Sequence, residues 1–156
     1  PGDLFVALAG ENFDAHDFLP QVEAAGATAA LVAGGAQTRL PALVVENTQQ
    51  ALGRLGAYNR ELFAGTLVAI TGSNGKTTTR AMTAAILNHK GSTLATQGNL
   101  NNEIGLPLTL LQLTEAHTLA VVEMGMNHPG EIDRLAVVVL AGVAIDVLRE
   151  AVQGAK

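Results

Sequence analysis

The segment that most constrains this chain is a short apolar run, Leu67-Val68-Ala69-Ile70, which passes directly into Thr71-Gly72-Ser73-Asn74-Gly75-Lys76-Thr77-Thr78. Four consecutive apolar residues bounded by a turn fit a strand buried on both faces. Two glycines then let the backbone turn sharply and approach a ligand. Residues 76–90 carry a helical pattern, with Met82, Ala85, Ile86 and His89 assigned to one face. Strand, Gly-rich turn and helix in this order make an anion trap. The amides of residues 73–77 can point inward, and the helix start adds about half a positive charge. Lys76 brings a full charge to the β- and γ-phosphates of ATP, and the Thr77 hydroxyl is placed for Mg²⁺. The expected nucleotide-binding set is therefore Gly72, Ser73, Asn74, Gly75, Lys76, Thr77 and Thr78. One position departs from the general pattern G-x-x-x-x-G-K-[ST]: Ile70 stands where its first glycine belongs, leaving a G-x-x-G-K-T core.

The rest of the chain alternates strands and helices. Strands are expected at residues 4–8, 29–33, 42–45, 93–95 and 119–124. Residues 18–25 form a helix with Phe18, Val22 and Ala25 on one face and Gly26 as C-cap. Asn47 caps a second helix, whose apolar residues Ala51, Leu55, Tyr58 and Leu62 recur at helical steps. Ile104, Leu108 and Leu111 mark a third, with Pro107 in its first turn, and another opens over residues 129–135. The fold class is α/β, in two units, residues 1–63 and 64–156. With 48% apolar residues and only 3% aromatic, the core must be built from Ala, Val, Leu and Ile, which suits parallel sheets covered by helices.

Charge and composition exclude several function classes. A net charge of -5 argues against a broad nucleic-acid surface. The absence of Cys excludes disulfides and thiolate metal sites. The longest apolar run, about residues 135–145, falls short of the roughly 20 residues a spanning helix needs, so no membrane insertion is expected. Nothing at the start reads as a secretion signal, and the default is a soluble cytoplasmic protein. Pro1-Gly2-Asp3 opens in mid-turn, which suggests sequence missing upstream.

A phosphate loop needs a metal, and Mg²⁺ usually takes one or two carboxylates together with phosphate oxygens and water. Glu123 ends an apolar strand, where ligands gather in open α/β sheets, and is the candidate metal ligand beside Thr77. Asn127 and His128 follow within five residues. His128 can bind metal, hydrogen-bond a phosphate or orient Glu123, although a lone loop histidine is more often structural. Glu131 reads as a helix-terminus residue. Asn99, Asn101 and Asn102 share a loop with Thr96 and Gln97. Such a loop can read a polar substrate, but spacing alone favours turn chemistry.

Three segments together resemble the Mur ligases of bacterial peptidoglycan synthesis. They are Ile70-Thr71-Gly72-Ser73-Asn74-Gly75-Lys76-Thr77-Thr78, then Gly98-Asn99-Leu100-Asn101-Asn102-Glu103-Ile104-Gly105-Leu106-Pro107, then Glu123-Met124-Gly125-Met126-Asn127-His128-Pro129-Gly130-Glu131-Ile132. Residues 4–18 also look like the family's N-terminal domain, and the shortened phosphate loop is the form the family uses. The resemblance covers roughly residues 1–135. Within the family, the second and third segments point to the branch that joins D-alanyl-D-alanine to a UDP-N-acetylmuramoyl tripeptide.

The resemblance implies a partial UDP-substrate-binding domain over residues 1–63 and a partial P-loop-type ATP-binding domain over 64–156, without the family's C-terminal domain. It implies ATP-dependent amide-bond formation through an acyl phosphate. Lys76 and Thr77 would grip ATP and Mg²⁺, Glu123 would bind the metal, and Asn127 and His128 would line the same site, with Lys76, Glu123 and His128 as the catalytic set. Thr96, Asn99, Asn101 and Asn102 would face the UDP-linked peptide. Phe13, Asp14 and His16 would approach its nucleotide end. A monomer is expected.

After about residue 135 the resemblance fades, and residues 136–143 run into a helix-like tail at 145–156. The later histidine, the metal-binding lysine and the adenine-holding residues of the family are not recognisable, so these residues alone are expected not to catalyse ligation. A sister Mur or folylpolyglutamate-type ligase and a P-loop small-molecule kinase stay open as alternatives. A GTPase is excluded by the lack of an Asn-Lys-x-Asp motif.

Overall fold

The computed structural model describes residues 1–10 and 13–141, so the tail expected at 145–156 lies outside the described residues. The chain divides into two compact units, Pro1–Leu52 and Gly53–Lys156.

The first unit contains β1 (Leu4–Val6), a 3-10 turn (Ala15–Phe18), α1 (Leu19–Ala24), β2 (Ala29–Ala33) and β3 (Ala42–Val45). The strands form a parallel sheet in the order β1-β2-β3. Central strand β2 buries Ala30, Leu31 and Val32, and Ala30 and Val32 join Ala7, Ala15 and Leu19 in a small core. Helix α1 ends in a paired closure, in which Gly26 N–H donates to Glu23 O and Ala27 N–H to Val22 O.

Helix α2 (Thr48–Leu62) contains the division between the units. Asn47 caps it as expected, its Oδ1 accepting from Gln50 N–H at 2.8 Å. The second unit continues with β4 (Thr66–Ile70), α3 (Lys76–Asn88), β5 (Thr93–Ala95), α4 (Gly105–Leu110), β6 (Leu119–Glu123) and α5 (Glu131–Val139). Its sheet is again all parallel, in the order β4-β6-β5. Strand β6 is central, and Ala120, Val121 and Val122 are wholly buried. Helix α3 packs on all three strands and α4 on β6. Leu94, Leu106, Leu110, Leu113, Met124 and Leu135 are among the residues that fill the core. Asn59 on α2 donates to the carbonyls of Leu110 and Leu113, satisfying groups that the end of α4 leaves open.

The helices exist where the sequence places them, but their buried faces differ from the expected ones. At the start of α1 Leu19 is buried, while Phe18, the last residue of the 3-10 turn before it, is 47% exposed. In α2 Tyr58 and Leu62 are exposed, and the helix instead presents Gly56 to Pro107, so closely that a methyl group there would overlap the proline. In α3 Met82 and Ile86 are exposed and Ala84 is buried. In α4 Leu108 and Leu111 are exposed while Leu106 and Leu110 are buried. Each helix is rich in apolar or small residues on more than one side, so a 3.6-residue period fits more than one face.

Among the described residues, no helix is long and apolar enough to cross a membrane.

Candidate functional site

Strand register places the site. Ile70 pairs with Glu123, so β4 and β6 finish side by side, and Met124 N–H donates to Ile70 O just beyond. Ile70, where the longer loop pattern has glycine, is the last residue of a strand. The turn that follows is exposed. Gly72 and Gly75 have φ of +143° and +76°, conformations that a residue with a Cβ rarely adopts. Gly75 immediately precedes α3. This 13-residue helix starts with no side-chain cap and no acidic residue in its first turn. Its first amides and its dipole therefore face the loop uncompensated by any side chain, the arrangement that attracts an anion. The Lys76 ammonium lies on the turn, donating to Gly72 O at 2.8 Å.

Across from this cationic turn sits Glu123, 2% exposed. Its backbone N–H donates to Thr96 Oγ1 at 3.0 Å. Its Oε1 accepts from Asn101 Nδ2 at 2.8 Å and, more weakly, from the Thr77 hydroxyl at 3.4 Å. Its Oε2 has no hydrogen-bond partner. The nearest cation to it is Arg80, whose Nη1 lies 3.7 Å away and also donates to Gly98 O at 2.9 Å.

Asn101 is fixed at both ends, because its carbonyl also accepts from Gly125 N–H at 2.8 Å. Glycine at position 125 leaves the Asn101 carboxamide its place: a Cβ there would lie 2.9 Å from Asn101 Nδ2 and push the side chain aside.

The Asn-rich loop thus divides by role. Asn101 positions the carboxylate. Asn102 caps the start of α4, its Oδ1 accepting from Gly105 N–H at 2.8 Å and Ile104 N–H at 3.2 Å. Thr96 is buried and its hydroxyl oxygen holds the end of β6. Of the four residues expected to face the UDP-linked peptide, Asn99 alone is placed on the surface without such an internal bond from its side chain, while Thr96, Asn101 and Asn102 are turned to internal partners.

His128 is not turned to Glu123. Its Nδ1 lies 2.9 Å from Glu131 Oε1, and Glu131 Oε2 accepts from Asn127 N–H at 2.7 Å. These contacts, the Asn127 amide foremost, hold the Glu131 carboxyl down to about 2. Residues 127–131 therefore form a tied turn at the start of α5. This fits the helix-terminus reading of Glu131.

In the first unit, Phe13 is exposed and stacks obliquely near Phe18, with ring centroids 6.2 Å apart. His16 is engaged on both nitrogens. Nε2 accepts from Ala33 N–H at 2.9 Å, so the ring proton sits on Nδ1, which meets Asp14 Oδ1 at 2.5 Å. Asp14 also accepts from His16 N–H, and that amide, ahead of the imidazole, lowers its carboxyl below the ordinary value. His16 and Asp14 are thus a clamp between the 3-10 turn and β2.

The donor set around Glu123 suits a hard divalent ion. It offers a buried, unsatisfied carboxylate oxygen and a threonine hydroxyl. Among the described residues no group of three or more His, Asp or Glu could hold a metal by itself, so phosphate oxygens and water would complete the shell. Sequence reasoning overlooked Arg80 and Gly125. Arg80 had a signal: it lies three residues after Thr77 and so shares its helix face.

Fold and site together define a parallel α/β protein whose polar side chains gather at the aligned carboxyl ends of β4 and β6. Residues 70–149 match the Mur ligase middle domain, and the chain belongs to the Mur ligase family. It is 54% identical over 132 residues to the UDP-N-acetylmuramoyl-tripeptide--D-alanyl-D-alanine ligase of Escherichia coli, covering 85% of this chain and 29% of that protein. The Haemophilus influenzae protein of the same name is 50% identical over 135 residues, covering 83% and 30%. Among solved structures, an Acinetobacter baumannii UDP-N-acetylmuramoylalanyl-D-glutamyl-2,6-diaminopimelate--D-alanyl-D-alanyl ligase superposes with a TM-score of 0.85 at 49% identity, covering 89% of this chain and 31% of that one. The MurF ligase of Thermotoga maritima in complex with ADP gives 0.80 at 36% identity, covering 88% and 32%. The chain thus spans about three-tenths of the length of these relatives.

Proposed function

We propose that this chain is part of an ATP-dependent ligase that joins D-alanyl-D-alanine to a UDP-N-acetylmuramoyl tripeptide in peptidoglycan precursor synthesis. One observation carries the reading. An uncapped, acid-free helix start at Lys76 meets a buried carboxylate with one unsatisfied oxygen, at the ends of two aligned parallel strands. The names of the relatives support the substrates, and the ADP complex of the Thermotoga maritima neighbour supports the nucleotide. In this reading residues 64–156 belong to a P-loop-type ATP-binding domain and residues 1–63 to a UDP-substrate domain. The protein works in the cytoplasm. A monomer suffices, because the turn, the carboxylate and Asn101 all come from one unit.

The tripeptide carboxylate attacks the γ-phosphorus of ATP, giving an acyl phosphate and ADP. The amine of D-alanyl-D-alanine then attacks the acyl carbon, forming the amide bond as phosphate leaves. Lys76 leaves Gly72 O for the β- and γ-phosphates, while the amides of residues 73–77, with Thr78 beside them, cradle the nucleotide. Thr77 Oγ1 and Glu123 Oε2 would hold Mg²⁺, which supplies neutralisation of the charge on the transferring phosphoryl group. Asn101 keeps Glu123 aimed. Asn127 and His128 stand at the rim. Asn99 takes the peptide, with Thr96, Asn101 and Asn102 shaping the loop behind it. Phe13 and Asp14 approach the nucleotide end of the UDP substrate, on a turn that His16 secures.

Calorimetric titration of the full chain with ADP and Mg²⁺ tests this reading. Lys76→Ala removes charge-assisted hydrogen bonds to phosphate and should weaken ADP by about 10- to 100-fold. Equal affinity in the variant and the parent would exclude Lys76 from the phosphate site and overturn the assignment.

A further inference from the structure

Arg80 has no place in the function argued so far, yet it is the cation nearest to the unsatisfied oxygen of the site. Its side chain is only 12% exposed and lies on α3 one turn beyond Thr77. One Nη1 serves two partners. It donates to Gly98 O at 2.9 Å, at the entrance of the Asn-rich loop, and stands 3.7 Å from Glu123 Oε2. The second distance is too long for a hydrogen bond. The guanidinium thus gives Glu123 a counter-charge without occupying its lone pairs. Lys76, the other cation of the site, is turned to Gly72 O. A carboxylate that is 2% exposed needs such compensation.

We infer that Arg80 is a positioning residue that acts as the resident counter-cation of Glu123 and holds off a divalent ion until a nucleotide phosphate arrives. This rests on the phosphate-and-metal reading of the same site. With Arg80 alongside, a metal entering without phosphate meets a carboxylate already neutralised and a like charge close by. With phosphate present, its negative charge offsets the guanidinium and makes metal entry favourable. Metal loading is then coupled to nucleotide loading. The bond to Gly98 O ties the same guanidinium to the loop that carries Asn99 and Asn101.

The test is Mn²⁺ binding to the full chain, followed by the spin resonance of the free ion, without nucleotide and then with ADP. Arg80→Gln should bind Mn²⁺ alone about tenfold more tightly than the parent, a change of about 1.4 kcal/mol. ADP should then raise Mn²⁺ affinity less in this variant than in the parent. Arg80→Lys keeps the charge and should stay near the parent value. Adding Glu123→Gln to Arg80→Gln should remove the gain. Unchanged or weaker Mn²⁺ binding in Arg80→Gln overturns the inference and leaves Arg80 as a tie between α3 and Gly98. A gain in Arg80→Lys equal to that in Arg80→Gln, or a gain that survives Glu123→Gln, overturns it as well. Failure of the parent to bind ADP would instead break the phosphate reading, and the nucleotide-free comparison separates the two.

Discussion

The two central strands, β2 and β6, end in different ways. At the end of β2, the Ala33 amide is received by His16 Nε2, and the other ring nitrogen is held by Asp14. At the end of β6, Glu123 is held through its amide by Thr96 and through Oε1 by Asn101, but Oε2 has no hydrogen-bond partner. Both ends join an ionisable side chain to a parallel sheet. One has both of its ring nitrogens in use, and that is what a clamp requires. The other keeps a polar atom in reserve inside the protein, where an unsatisfied group costs stability unless something else binds it. The difference separates scaffold from site more clearly than residue type does, since histidine and glutamate are equally plausible catalytic residues.

Of the changes made at the two strand ends, the largest expected effect on ADP binding comes from disturbing the aim of the reserve oxygen. In Gly125→Ala the new methyl group would press on the whole Asn101 carboxamide, whose atoms lie 2.9 to 3.1 Å from the ideal Cβ position. A side chain can move away more cheaply than backbone, so folding should survive while the bond to Glu123 is lost. Metal-dependent ADP binding should fall about tenfold, in line with about 1.4 kcal/mol for a charge-assisted hydrogen bond. Asn101→Ala should reproduce the loss, and the double variant should be no worse than either single one. Additive losses would mean that Gly125 acts by some route other than Asn101.

His16→Ala probes the other strand end and should act on stability instead. It strands the Ala33 amide and releases Asp14, a loss of about 1–3 kcal/mol. The loss should appear as faster hydrogen exchange at Ala33, with ADP affinity in the second unit unchanged. Unaltered exchange at Ala33 would remove the clamp from the comparison.

The sequence makes the strands and the phosphate turn legible for the same reason. β2, β4 and β6 are short apolar runs with sharp polar or glycine boundaries, and β2 and β6, buried on both faces, leave no orientation to guess. β4 is a strand as expected but not a buried one: it lies at the edge of its sheet, where its apolar residues are only partly covered and Ala69 is exposed. The helix faces were not legible. In α3, Met82 and Ile86 outweigh Ala84 in hydropathy, yet the smaller residue is the one that fits against the sheet. In α2 the contact is made by Gly56, which carries no hydropathy signal. Shape decided these faces. Within the site, Lys76, Thr77 and Glu123 follow from spacing and strand position. Whether an asparagine meets substrate or protein depends on tertiary partners. Asn101 and Asn102 are adjacent in sequence, yet one holds a carboxylate and the other caps a helix.

The smallest effect tests whether the turn beside Glu123 belongs with the satisfied or the reserved groups. Glu131 is bound to the Asn127 amide and to His128, and its carboxyl lies at about 2 against an ordinary 4.5. A carboxyl lowered by folding adds stability that is present above its unfolded value and is lost as pH falls through the folded one. Between about pH 4.5 and 2 the turn should therefore loosen, visible as a change in the amide resonance of Asn127. Glu131→Gln should lose that acid-range change while leaving metal-dependent ADP binding at neutral pH close to the parent. If Glu131→Gln instead abolishes ADP binding, the 127–131 turn contacts the nucleotide directly. His128 would then stand with Glu123 on the reserved side of the comparison.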